Sequence, residues 1–161
     1  MCAVTQSLCA KGKRKRMNDL LALYRLAEAE GIETDCFELR KRDSLSFMDE
    51  DGSCYIAIDP FRLEGEIDEK LKLAHELGHC MTGSFYNQFA TVEHRQKHEN
   101  QADKWAIQRL VSKDALADAV AGGNTTLWQL AEYFEVSEVF IRKAICLYTY
   151  GNLAVEQYFQ R

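Results

Sequence analysis

Residues 71–81, LKLAHELGHCM, contain two histidines four positions apart, with a glutamate directly after the first. Each residue of an α-helix advances by about 100°, so His75 and His79 project from one face, one turn apart. Two imidazoles at this spacing can bind one zinc ion at Zn–N distances of about 2.0–2.1 Å. Glu76 lies beside them at the angle that suits a general base. The stretch therefore predicts a metal-binding helix.

The sequence around this motif also favours a helix, which we expect over residues 67–81. Apolar residues such as Leu71 and Ala74 recur there with helical spacing. Gly78 interrupts the pattern, and a glycine inside a helix costs about 1 kcal/mol relative to alanine. It therefore indicates a place where another backbone packs closely. The alternative, two surface histidines on an ordinary amphipathic helix, leaves Gly78 without a reason.

A third ligand must come from another part of the chain. An extended zinc-endopeptidase motif would have a histidine six residues beyond His79, but that residue is Phe85, so this subclass is excluded. Downstream, the segment HENQADKWA (98–106) places Glu99 and Asp103 four residues apart on one helical face. One carboxylate can complete a His₂Glu set, and the other can accept the free N–H of a ligand histidine. The alternative is a solvated acidic edge.

Two further histidines compete for these roles. We expect a loop at 83–97 and a helix from about His98 to Val111, which places His94 in the loop. Either His94 or His98 is a rival ligand to Glu99. Both of them, and Tyr86, are also candidate hydrogen-bond donors to the oxyanion of a transition state, and the sequence does not choose among the three.

The rest of the chain predicts an α+β fold, with a small antiparallel or mixed sheet packed on a helix bundle. Asp51-Gly52 indicates a hairpin between the last two strand-like segments. Everything after residue 111 reads as helical. The expected helix and strands before the metal motif cover residues 18–30, 34–40, 45–48 and 54–58.

Charge and cysteine patterns narrow the class of protein. Residues 1–16 contain five of the 20 basic residues and none of the 25 acidic ones, so we expect a flexible basic leader and an acidic body. An acidic body disfavours generic binding to a phosphate backbone. We find no membrane span and no secretory pattern, and we expect a cytoplasmic protein. Its six cysteines form no CxxC pair, and we expect mostly reduced thiols.

These features resemble the ImmA/IrrE-type metallo-endopeptidases. The resemblance extends from about Met17 onward and implies a minimal zincin fold, zinc bound by His75, His79 and Glu99, and a catalytic Glu76. Many members carry Asn where this chain has Asp103, and either side chain can hold a histidine. The segments that carry the resemblance are LKLAHELGH (71–79), FYN (85–87), HENQADKWA (98–106) and LAEYFEVS (130–137).

We accordingly expect a basic leader at 1–16, a zincin-like core at 17–111 and a C-terminal helical subdomain at 112–161. Relatives of this kind cut a helix-turn-helix repressor of a mobile element or stress regulon. The resemblance therefore implies a zinc endopeptidase with a transcriptional repressor as protein substrate. We expect no direct contact with nucleic acid or a membrane.

A competing hypothesis comes from residues 127–148, which match the helix-turn-helix pattern of two helices joined by a short turn. They favour a non-catalytic, zinc-bearing interaction module or DNA-binding regulator. Against this, the would-be reading helix offers only Arg142 and Lys143, fewer cations than groove binding requires. We expect a helical hairpin that packs on the core.

Overall fold

The computed structural model describes residues 19–87 and 89–159, and the predicted leader at 1–16 lies outside this part. The described chain forms seven helices and one three-stranded mixed sheet, which confirms the predicted α+β class and is consistent with a small zincin-like domain. The first helix, α1, covers residues 19–29. None of the helices in these two ranges has the length and apolarity that crossing a membrane requires.

The sheet consists of β1 (Glu33–Cys36), β2 (Ser44–Met48) and β3 (Cys54–Ile58), in the order β1-β3-β2. The predicted hairpin is confirmed, because β2 and β3 pair antiparallel, whereas β1 pairs with β3 in parallel. The strand β1 is shorter than expected. Its backbone leaves the ladder after Phe37, and the N–H of Leu39 is donated to the Asp59 side chain instead.

Helices α2 (Glu66–Thr82) and α3 (Val92–Leu110) carry the residues of the predicted metal site. The predicted start of α3 near His98 is wrong, because the helix begins at Val92 with Thr91 as its N-cap. His94 therefore lies on a helix and not in a loop. The first turns of α3 are exposed on all sides, so they lack the apolar periodicity from which a helix is usually recognised.

Gly78 lies where α2 crosses α3. A Cβ atom added to Gly78 would be 2.5 Å from the carbonyl oxygen and 2.9 Å from the Cα of Ala102. Real Cβ atoms do not approach backbone atoms so closely, and neither helix backbone can yield without moving the other. The close backbone approach indicated by this glycine is thus confirmed.

We expect Gly78→Ala to destabilise the metal-free protein by about 1–3 kcal/mol, the usual cost of overpacking a tight core. Helix propensity alone would act in the opposite direction, stabilising the variant by about 1 kcal/mol. The sign of the change in chemical denaturation therefore separates the two effects. A variant as stable as the wild type, or more stable, would contradict the close crossing.

The C-terminal part of the chain is helical, as expected, and packs on the same core as the first part. Ile107 of α3 and Ile141 and Ala144 of the C-terminal part are buried in a single apolar cluster. The division of the chain into subdomains at residue 112 stays a prediction. The four helices are α4 (Lys113–Ala121), α5 (Leu127–Phe134), α6 (Glu138–Tyr150) and α7 (Val155–Tyr158).

One disulfide departs from the expectation of mostly reduced thiols. Cys54, at the start of β3, is bonded to Cys80, near the end of α2, with their Cα atoms 6.0 Å apart. Cys36 and Cys146 are free thiols, as expected. Sequence spacing could not reveal the bonded pair, because its members are 26 positions apart and only the packing of the sheet on α2 brings them together.

Candidate metal centre

The side chains of His75, His79 and Glu99 converge where α2 crosses α3. The Nε2 atoms of the two histidines are 3.1 Å apart. The Glu99 carboxylate oxygens lie 3.1 Å from Nε2 of His75 and 3.6 Å from Nε2 of His79. One ligand atom from each residue lies within 4.8 Å of the other two, a group that could hold a metal ion. In the described part of the chain no other trio of His, Cys, Asp or Glu converges in this way.

Both imidazoles are oriented through their other nitrogen. Nδ1 of His75 lies 2.9 Å from Oδ1 of Asp103, and Nδ1 of His79 lies 2.7 Å from the carbonyl oxygen of Ser84. These acceptors favour a proton on each Nδ1, so each Nε2, once it carries no proton, can direct its lone pair at a metal ion. Asp103 was a candidate from the sequence, whereas Ser84 was not. Gly83, in a left-handed conformation at the end of α2, turns the chain back so that Ser84 reaches His79.

Tyr86 contacts the third member of the trio. Its hydroxyl donates a 2.6 Å hydrogen bond to Oε1 of Glu99, and its ring centroid lies 6.5 Å from that of His79. The hydrogen bond to the carboxylate is also the main reason that the pKa of Tyr86 is raised. The phenol is therefore protonated at neutral pH and lies beside the candidate ligands as a hydrogen-bond donor.

His94 and His98, the rival ligands, are not part of this trio. Their Nε2 atoms lie 3.0 Å from each other, and the two rings meet edge to face. His98 still approaches the neighbourhood of the centre, since its ring centroid is 6.2 Å from that of Tyr86. Within the described part of the chain, Tyr86 is the one candidate transition-state donor that is hydrogen-bonded to Glu99.

The protonation states of the metal-free centre are strongly coupled. Burial opposes a charged His75 imidazole, but hydrogen bonds to Asp103 and Glu99 outweigh it and raise the pKa of His75 to about 10. The hydrogen bond from His75 in turn lowers the pKa of Glu99 to about 2. Burial would raise the pKa of Asp103, but His75 and Lys143 lower it on balance. Without a metal, His75 is therefore doubly protonated and positively charged at neutral pH.

A metal ion must displace the second proton of His75, so we expect the affinity for a divalent metal to rise with pH. One released proton corresponds to about a tenfold gain in apparent affinity per pH unit, between about pH 6.5 and 8. Glu99 stays ionised across this range and adds no slope of its own. Titration calorimetry in buffers of different ionisation enthalpy counts the protons released. An affinity that does not change with pH would contradict a protonated His75.

Glu76 is held by two serines of the edge strand. Ser44 Oγ donates to Oε1 of Glu76 at 2.7 Å, and Ser46 Oγ donates to Oε2 at 2.5 Å. The carboxylate is nearly buried, and these hydroxyls satisfy both of its oxygens. Neither serine was a candidate from the sequence. Residues two apart on a strand face the same side of the sheet, so the spacing of the two serines in β2 is the sequence feature that could have indicated a shared partner.

A cleft of about 850 Å³ opens over these groups between β2 and α2. The strand β2 is an edge of the sheet, and its residues 44–47 form one wall of the cleft. His75, Glu76 and His79 line the opposite side, and Glu99 also borders the opening. A cleft of this size between an edge strand and two ligand-bearing helices can admit an extended segment of a polypeptide.

The fold and this site define a metallopeptidase-type protein with a small zincin-like domain. The chain belongs to the M78 peptidase family, since the family's sequence model, described as the IrrE N-terminal-like domain, matches residues 44–145. The match runs from β2 into α6 and confirms the ImmA/IrrE resemblance. A peptidase of this family acts on a protein substrate. No curated protein matches the chain.

Proposed function

We propose that this protein is a zinc-dependent endopeptidase that cleaves one specific protein partner, a helix-turn-helix repressor. The observation that carries the proposal is the convergence of His75, His79 and Glu99 beside Glu76 at the floor of the cleft. The zinc-dependent chemistry rests on the donor set and the family. The repressor substrate rests on the ImmA/IrrE resemblance.

The donor set suits zinc. Two neutral imidazole nitrogens and one carboxylate oxygen form the His₂Glu combination of catalytic zinc sites, which leaves a coordination position for water or substrate. Each imidazole is already held by an acceptor at its other nitrogen, Asp103 for His75 and Ser84 for His79. When bound, zinc would activate a water molecule as the nucleophile and polarise the substrate carbonyl.

Within this mechanism Glu76 is the general base. It would take a proton from the attacking water and deliver it to the leaving amine. Ser44 and Ser46 fix the direction of its carboxylate. Of the three candidates to stabilise the oxyanion, Tyr86 lines the cleft, whereas His98 and His94 do not. The single O–H of Tyr86, which is donated to Glu99 here, would turn towards the oxyanion.

The substrate would bind in the cleft as an added strand. The strand β3 occupies the centre of the sheet and has no free edge for this pairing. The edge strand that borders the cleft is β2. An extended substrate segment could pair with the free backbone groups of β2 and pass over Glu76.

The alternative of a DNA-binding regulator has less support. The two basic residues of the would-be reading helix are engaged within the molecule: the Lys143 ammonium contacts Asp103, and the Arg142 guanidinium lies 5.8 Å from the ring centroid of Phe159. Neither is available as a simple phosphate contact. A non-catalytic zinc module, the other alternative, gives no reason for Glu76 to lie in an open cleft beside the ligands.

The function is tested by co-expressing the protein with the repressor encoded beside its gene. We expect a single cut in the repressor that a zinc chelator prevents and that added zinc restores. A repressor left intact by the zinc-loaded protein would contradict the proposed substrate. Loss of the cut on adding chelator, together with its recovery on adding zinc, separates this activity from a contaminating serine or cysteine protease.

A further inference from the structure

A lysine of the C-terminal helices reaches the metal centre. Lys143 lies on α6, and its Nζ is 2.5 Å from Oδ2 of Asp103. The other oxygen of the same carboxylate, Oδ1, lies 2.9 Å from Nδ1 of His75. A continuous chain of polar contacts therefore runs from α6 through α3 to the first candidate metal ligand on α2.

The position of Lys143 is fixed by the packing of its helix. Ile141 and Ala144, on either side of it in α6, are fully buried in the core, and α6 packs against α3. The Asp103 side chain is 18% exposed and the Lys143 side chain 33%, so the ion pair is partly shielded from water. A shielded pair with fixed partners holds its geometry better than a surface ion pair, which is screened and mobile.

Charge balance gives Lys143 a second role. Glu76, Glu99 and Asp103 surround the two histidines with three carboxylates. A bound divalent cation and the Lys143 ammonium together carry as much positive charge as these three groups carry negative charge. Lys143 is the cation in direct contact with Asp103, so without it this carboxylate, which is hydrogen-bonded to a ligand imidazole, would lose its paired charge.

We propose that Lys143 is a positioning residue of the metal centre, which locks the Asp103 carboxylate towards His75 and offsets its charge. The inference rests on the ligand set of the proposed function. It makes α6 a part of the metal site, although no residue of α6 belongs to the ligand trio. Loss of Lys143 frees the carboxylate to rotate away from His75, so the imidazole loses its fixed orientation.

We expect Lys143→Met to weaken zinc binding about tenfold, the lower end of what the loss of a supporting contact to a metal ligand costs. Lys143→Arg should retain most of the affinity, because a guanidinium can also hold the carboxylate. The matched control is Lys104→Met. It also removes a positive charge, and Lys104 directly follows Asp103 in the sequence, but its side chain is exposed. It should bind zinc like the wild type.

A double-mutant cycle isolates the pair. In Asp103→Asn the neutral amide leaves no charge to offset, so adding Lys143→Met to that background should weaken zinc binding less than twofold. Zinc affinity is measured by competition with a fluorescent chelator. The visible absorption of the cobalt-loaded protein reports ligand geometry, which Lys143→Met should shift and Lys104→Met should not.

Equal zinc affinity and equal cobalt spectra for Lys143→Met and Lys104→Met would overturn the proposal. The proposal would also be overturned if Lys143→Met lowered zinc affinity tenfold in the wild type and again tenfold in the Asp103→Asn background. Lys143 would then act through general packing and not through Asp103. If Lys143→Met does not fold, Lys143→Gln takes its place in the wild type and in the Asp103→Asn background, and the same comparisons decide. A wild type that binds no zinc would instead contradict the proposed function itself.

Discussion

Replacing Glu76 by glutamine is expected to leave zinc binding close to that of the wild type and to reduce cleavage of the protein substrate at least 10²- to 10⁴-fold. The amide has the shape of the carboxylate but cannot accept a proton from water. Glu76 is not a member of the trio that could hold the ion, so its loss should not empty the site. Metal content by atomic absorption and the initial rate of cleavage, measured on the same preparation, test both halves of the expectation.

The matched control is Glu93→Gln, which makes the same chemical change at an exposed position in the first turn of α3. It should bind zinc and cleave like the wild type. Function that survives Glu76→Gln would favour the non-catalytic zinc module over the peptidase. Loss of zinc from Glu76→Gln would show that this carboxylate is a ligand and not a base.

The second large effect concerns the third ligand. Loss of a group that only hydrogen-bonds to a metal ligand lowers metal affinity about 10- to 100-fold. Glu99→Ala removes a ligand itself, so we expect a larger loss of zinc affinity. It removes the carboxylate that lies 3.1 Å from Nε2 of His75 and leaves two imidazoles to hold the ion. Zinc affinity by chelator competition measures the change, and thermal unfolding of the metal-free variant shows whether the fold is retained.

His94→Ala is the control for this experiment. His94 was a rival ligand in the sequence, but its Nε2 faces His98 and not the trio. We expect zinc affinity to stay within about twofold of the wild type, since no ligand contact is removed. Equal losses in the two variants would refute the assignment of Glu99 as the third ligand.

The sequence was most informative where a residue type or spacing has a single structural explanation. The helical spacing of His75 and His79 predicted a shared face, and the cost of a glycine within a helix predicted the close crossing at Gly78. Both predictions rest on local geometry, although the glycine could not show that Ala102 of α3 is the backbone it approaches. The hairpin at Asp51-Gly52 was predictable for the same reason.

Features that depend on packing between distant segments were not predictable. Ser44 and Ser46 look like ordinary strand residues until the sheet is placed on α2, where their hydroxyls meet Glu76. Lys143 looked like one of two cations on a reading helix until α6 was packed beside Asp103. The disulfide between Cys54 and Cys80 likewise requires the finished fold.

The exposed start of α3 was missed for a different reason. Thr91 caps the helix, with its side chain accepting from the N–H of His94, but the turns that follow have no buried face. A search for apolar periodicity cannot detect such a segment. The capping threonine was the remaining local signal, and it shows that caps and periodicity carry separate information.

The central claim is that one zinc ion binds between α2 and α3 on two imidazoles and one carboxylate. X-ray diffraction from crystals of the zinc-loaded protein, recorded on both sides of the zinc absorption edge, tests it most directly. The expected result is one anomalous peak about 2.0–2.2 Å from Nε2 of His75, Nε2 of His79 and a carboxylate oxygen of Glu99. A zinc peak at His94 and His98, or a Glu99 side chain turned away from the ion, would contradict it.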